Sequence, residues 1–241
     1  MNSWRAVGAI VAFELRREWG GVLITGLFAA YFGVIFIGLD DPTDASGNAK
    51  HFLVTMTNWI YLFGFPLFGS PMSRNSFHCW RDDPFSKKIA HWRTLPIPLP
   101  TILVARFLQT AAIMIVIGGL FAAAEYLLHS RVRDLATPAE WAATTVVWMA
   151  YGLIVQILYI YLELGWSGKI YVKWYLAFNA AGFLLVGFAG WHGVNIFTGL
   201  ADKVAAHPVS IPIAALAVLA IALGAGYRLA IARMRRRRYT F

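Results

Sequence analysis

Six apolar stretches, each long enough to cross a bilayer, recur along this chain, and that recurrence leaves little room for any fold but a polytopic helical membrane protein. The first, 21–39, carries no charge and stops at Asp40. At about 1.5 Å per residue it reaches about 28 Å, close to the roughly 30 Å hydrocarbon core. The others are 52–73, 101–128, 141–164, 174–194 and 211–232. Composition agrees: 59% of residues are hydrophobic and 14% charged, against about 45–50% and about 25% in soluble domains. The reading is an all-α membrane protein, one transmembrane domain over 1–241, with six transmembrane helices.

The net charge of +9 would raise nucleic-acid binding in a soluble chain. Here the basic residues fall between apolar runs, so no nucleic-acid partner is expected and orientation explains them. With both termini cytoplasmic, fifteen Lys and Arg fall inside, and four, Lys50, Arg131, Arg133 and Lys203, fall outside. The positive-inside rule therefore favours cytoplasmic N- and C-termini. Trp59, Trp141, Trp174 and Trp191 sit towards span ends, where amphipathic rings anchor at headgroups.

Residues 3–19 read as an amphipathic interfacial helix. Trp4, Val7, Val11, Leu15 and Trp19 recur at steps of three and four, while Arg5, Arg16 and Arg17 occupy other faces. Those charges, with Glu14 and Glu18, break up any secretory apolar region, so the mature chain is expected to begin at Met1. Within 52–73, Pro66 and Pro71 each remove a backbone donor and are expected to kink the span, whether to gate a path or to shape packing. Val194, Phe197, Leu200 and Val204 repeat at helical spacing before the last span, as a short interfacial or re-entrant helix would.

No enzyme motif is present. The chain lacks a G-x-x-x-x-G-K-[ST] phosphate loop, an H-E-x-x-H pattern among its six histidines and a G-x-S-x-G elbow. A single cysteine, Cys79, excludes an intrachain disulfide and a thiolate metal cluster. No catalytic, cofactor-binding or metal-binding residue is therefore expected in this chain. Ionisable residues within spans are expensive. Arg106 and Arg228 lie near inner ends and are expected to snorkel to headgroups. Glu125 is expected to meet Arg131 or Arg133, and Glu163 to meet Lys169 or Lys173. Asn58, Gln156 and Asn179 are candidates for lining a substrate path, with interhelical hydrogen bonding as the alternative use. The tail arginines, 233–238, suit either an anchor on anionic lipid headgroups or a docking patch.

The longest polar interruption, 77–103, separates the second and third spans. Asp82 and Asp83 precede Pro84, an arrangement that opens a helix with carboxylates near its positive end. The spacing predicts a short helix over 85–95, with Phe85, Ile89 and Trp92 on one face and Lys87, Lys88 and His91 elsewhere. Pro96, Pro98 and Pro100 end it. By physics alone, such a segment either transmits a push from a partner or only fixes topology.

The run Trp92-Arg93-Thr94-Leu95-Pro96-Ile97, followed by Ile102-Leu103-Val104-Ala105-Arg106, resembles the S/T-L-P-[VI] segment entering the third span of ABC-2 type ABC transporter permeases. Pro98 and Pro100 depart from that pattern. The overall plan is similar too, from N-terminal interfacial helix to cytoplasmic ends. The resemblance implies the membrane-spanning subunit of an exporter in a bacterial plasma membrane, not an enzyme itself. A separate ATPase subunit would bind ATP and Mg, and a second permease subunit, identical or homologous, would share the path, lined by spans one, two and five. It also implies that 74–100 is a coupling loop whose Arg81, Asp82, Asp83, Phe85, Lys87, Lys88, Trp92 and Arg93 contact the ATPase. The alternative is a non-transporting scaffold or sensory subunit that binds a cytoplasmic partner through the same loop. An intramembrane enzyme would need catalytic side chains converging near one membrane face, and the sequence offers none.

Overall fold

The structure, a computed structural model, describes residues 3–37, 47–73 and 78–237. Among them every regular element is helical: α1 (Ser3–Arg17), α2 (Trp19–Ile37), α3 (Gly47–Trp59), a π-helical turn (Ile60–Gly64), α4 (Phe65–Leu67), α5 (Cys79–Asp82), α6 (Pro84–Thr94), α7 (Leu99–Leu128), α8 (Ser130–Leu135), α9 (Pro138–Gly165), α10 (Gly168–Trp191), α11 (Ile196–Ala206) and α12 (Ser210–Arg236). Four of these, α7, α9, α10 and α12, are long and apolar enough to cross a membrane. In α2 the described apolar part is Trp19–Gly33. The protein is an all-helical, membrane-embedded chain.

Local sequence sets the element ends. Thr137 and Glu140 form a capping box at the start of α9, with Pro138 in the first turn. Asn195 accepts the Thr198 N–H and opens α11, the short helix expected around Phe197, Leu200 and Val204. Two glycines on long helices allow neighbouring side chains to pack against the backbone. A Cβ at Gly226 would fall 2.2 Å from Ile157, and one at Gly182 would fall 1.7 Å from Phe63. Small residues at such contacts bring helix backbones together where no water drives association. An aromatic knot fills the centre: Phe68 meets Phe65 and Phe121 at 5.4 and 5.1 Å, and Tyr61 meets Trp148 at 4.9 Å.

The second span departs from expectation. Instead of one kinked helix through 73, helical structure ends at Leu67, so Pro71 lies beyond it and kinks nothing. The cause is Pro66. It has no N–H to give Leu62 O, and the Tyr151 hydroxyl donates there instead at 2.9 Å. Just before it, Phe65 N–H reaches back five residues to Ile60 O, the wider π spacing. The unwound backbone that follows is sutured from both sides. Gln156 Nε2 donates to Pro66 O at 2.6 Å, and Ser70 Oγ donates to Gln156 Oε1 at 2.8 Å. From α2, the Thr25 hydroxyl lies 2.9 Å from Ser70 O and accepts Met72 N–H at 3.0 Å. Irregular backbone persists in a bilayer only when its polar groups are met inside the protein.

Around α1, apolar and buried positions do not coincide. Trp4 and Trp19 point outward, while Val7, Glu14 and Glu18 are buried. Glu14 on α1 and Glu18 at the bend between α1 and α2 are therefore both turned into the protein.

Candidate functional site

The start of α7, the end of α9, the start of α10 and the end of α12 gather at one end of the bundle, and α6 is seated on them. Asp83 makes the seat. It adopts the left-handed conformation (φ 43°, ψ 55°) that Asp tolerates better than most residues. Its Oδ1 accepts N–H groups from Ser86 at 3.3 Å and Gly168 at 2.9 Å, and its Oδ2 accepts the Ser86 hydroxyl at 2.7 Å. One carboxylate thus caps both α6 and α10, against the positive ends of two helices. The approach demands glycine at 168, where a Cβ would lie 1.9 Å from Cys79 O.

The α6 helix spans Pro84–Thr94, against the expected 85–95. Its Ile89, 1% exposed, packs among Leu103, Ile160, Leu164, Ala230, Ile231 and Met234 from α7, α9 and α12. Phe85 and Trp92 are half-buried, and Phe85 meets Tyr171 edge-on at 5.4 Å. Lys88, expected away from the packed face, is turned inward instead. Its ammonium is paired with Glu14, lies 3.6 Å from Glu18 Oε1, and sits 4.9 Å over the Trp92 ring. The reason lies early in the chain: Glu14 on α1 and Glu18 at the bend after it are buried carboxylates that periodicity within 85–95 could not reveal. The signal was in the sequence, because Glu14 and Glu18 fall at helical spacing from Val7, but it stood apart from the chosen apolar stripe.

Arg106 is also held inside the protein. It does not snorkel; Nη2 and Nε donate to Glu163 Oε2 at 2.9 and 3.3 Å, and Nη1 donates to Gln109 Oε1 at 2.9 Å. Glu163 therefore pairs with Arg106 rather than with Lys169 or Lys173. Antiparallel α7 and α9 bring the two side chains to one level, and the guanidinium fork suits buried carboxylates. Between this pair and Lys88 lies a cavity of about 40 Å³, also bordered by Glu18, Ser70 and Tyr159, room for a water or two. Two carboxylates, Glu18 and Glu163, and two cations, Lys88 and Arg106, thus line this space, with Glu14 paired to Lys88.

The tail arginines serve this end as well. Arg233 Nε donates to Gly165 O at 3.2 Å and its guanidinium lies 3.8 Å over Trp166; Arg237 Nη1 donates to Leu164 O at 3.0 Å, and Nη2 meets Ser86 Oγ. Both therefore neutralise the negative end of α9. Arg93 Nη1 donates to Arg237 O at 3.3 Å. Arg235 and Arg236 are exposed, and residue 238 lies outside the described residues. Cys79, buried at the foot of α5, has its thiol pushed up by burial.

The remaining candidates are scattered. Asn58 is fully buried and braces the turn before α11, donating to Val194 O at 2.7 Å and accepting Ile196 N–H at 2.8 Å. Asn179 donates to Tyr175 O of its own helix at 2.8 Å. Gln156 borders a cavity of about 340 Å³, with Ser70, Trp80, Tyr159, Tyr171 and Tyr175. Glu125 pairs with His129 at 3.7 Å, while Arg133 donates to Leu127 O at 2.6 Å, at the end of α7. Among the described residues no group of three His, Cys, Asp or Glu could hold a metal.

Of the residues expected to contact a partner, Arg81, Asp82, Lys87 and Arg93 face outward, with His91 and Trp80 beside them. Asp83 and Lys88 are engaged within the chain. The opening of the polar segment, 74–77, lies outside the described residues. No family model matches this sequence, and no curated protein or solved structure does either.

Proposed function

We propose that the chain is the membrane permease subunit of an ATP-binding-cassette exporter, with α6 as the helix on which a separate ATPase subunit acts. One observation carries the reading: α6 is a short helix gripped along its inner face by Ile89, Lys88 and Asp83, with Lys87 and His91 turned outward and Arg81 exposed on α5 beside it. A surface loop that only fixed topology would need no such grip. A push on α6 would reach α7, α9 and α12 through Ile89, and α1 through Lys88.

In this reading the chain crosses a bacterial plasma membrane six times with both termini cytoplasmic, and the second span includes the broken helix at Pro66. ATP and Mg are bound by the partner, and a second permease subunit, identical or homologous, completes the path. Co-expression with the ATPase encoded nearest to this gene tests the proposal. The pair should co-purify, and the permease should raise ATP hydrolysis. Arg81→Glu with Lys87→Glu should abolish both while the chain remains inserted. Co-purification without any change in hydrolysis would favour a scaffold instead.

A further inference from the structure

We infer that the hairpin of α9 and α10 holds an anionic phospholipid, with an acyl chain in the groove between the helices and the headgroup on Lys169 and Lys173. The groove, of about 620 Å³, is walled by Leu158 and Leu162 on one side and Phe178 on the other, with Ala177 and Ala181 leaving the space. That volume lies within the about 300–1,000 Å³ of small-ligand sites. Trp166 and Trp174 border it towards the α9–α10 turn, as aromatic side chains do at the headgroup level.

Charge supplies the rest. Lys169, Lys173, Ala177 and Ala181 are spaced four residues apart, so they form one stripe along α10. The alanines floor the groove, and the lysines continue the stripe beyond it by about 6 Å per step. Both lysines are exposed, and neither has an acidic partner among the described residues, Glu163 being held by Arg106. Arg233, stacked 3.8 Å over Trp166, adds a third cation at this mouth. An apolar trough that ends in unpaired cations fits a guest with an apolar chain and an anionic head. A helix from a second copy would fill the trough but leave the lysines unmet. The inference needs α9 and α10 to stand in a bilayer; it does not need the ATPase.

The test is native mass spectrometry of the full chain in detergent, titrated with phosphatidylglycerol or phosphatidylcholine. The wild type should retain phosphatidylglycerol at least about fivefold better, and Lys169→Gln with Lys173→Gln should remove most of that preference, at about fivefold per lysine near the headgroups. Ala177→Leu with Ala181→Leu, which fills the groove and keeps the charge, should lower retention of both lipids. Equal retention of the two lipids by the wild type would overturn the inference. So would an unchanged preference in the lysine variant, or loss of a dimer rather than of lipid in the alanine variant. The lysines are exposed, so their variant should melt with the wild type, and ATPase association should be unchanged in both variants.

Discussion

Replacing Lys88 by Met tests whether α6 is tied to α1 by charge. Lys88 is 13% exposed, and its two partners, Glu14 and Glu18, are 2% and 9% exposed. The Met side chain keeps most of the stem and its contact with Trp92, so the change removes mainly the ammonium. Two buried carboxylates are then left without their shared cation, and breaking a buried pair from one side costs about 3–5 kcal/mol. Arg17, 3.8 Å from Glu14, softens the loss, which points to the lower end, about 3 kcal/mol. For a chain of this size about 1 kcal/mol shifts the melting point by about 2–4 °C, so the apparent Tm in detergent should fall by about 6–12 °C. Lys87→Met, one position away and exposed, should shift it by less than about 2 °C. Adding Glu14→Gln and Glu18→Gln to Lys88→Met should restore most of the loss, because no buried charge then remains unpaired. A drop no larger for Lys88 than for Lys87, or no recovery in the triple variant, would refute the tie.

Other consequences are as open to measurement. Arg106→Leu should destabilise by about 3–5 kcal/mol by stranding Glu163, and Glu163→Leu in the same chain should recover most of it, as read by melting of the single and double variants. Gly168→Ala drives a Cβ to 1.9 Å from Cys79 O, so the α5–α10 contact must open and maleimide labelling of Cys79 should speed up several-fold. In the wild type the raised thiol pKa leaves less thiolate at any given pH. Labelling of Cys79 should therefore lag a model thiol at pH 7 and gain on it only as pH rises beyond the ordinary cysteine range. Gln156→Leu strands Pro66 O and the Ser70 hydroxyl, a cost of about 1–3 kcal/mol, visible as a lower melting point.

What the sequence could show followed from periodicity and end signals. The uninterrupted apolar runs yield α7, α9, α10 and α12 to within a few residues except at the start of α10, and Asp83-Pro84 marks the start of α6. What it could not show are contacts between segments distant in the chain. Lys88 finds Glu14 across 74 residues, and Arg106 finds Glu163 across 57. No local pattern encodes either pairing, so nearer partners in sequence, such as Lys169 for Glu163, seemed sufficient. The broken second span lies between these cases. Pro66 announced a disturbance, but ending the helix depended on Thr25, Tyr151 and Gln156 being at hand to satisfy the freed backbone.

A photo-crosslinking residue placed at Lys87 tests most directly whether the outward face of α6 receives the partner. A second, at Lys203 on α11 at the opposite end of the bundle, serves as the control. Illumination of native membranes should join the Lys87 position to a P-loop ATPase and leave the Lys203 position without that adduct. An ATPase adduct at Lys203, or none at either position, would contradict the account.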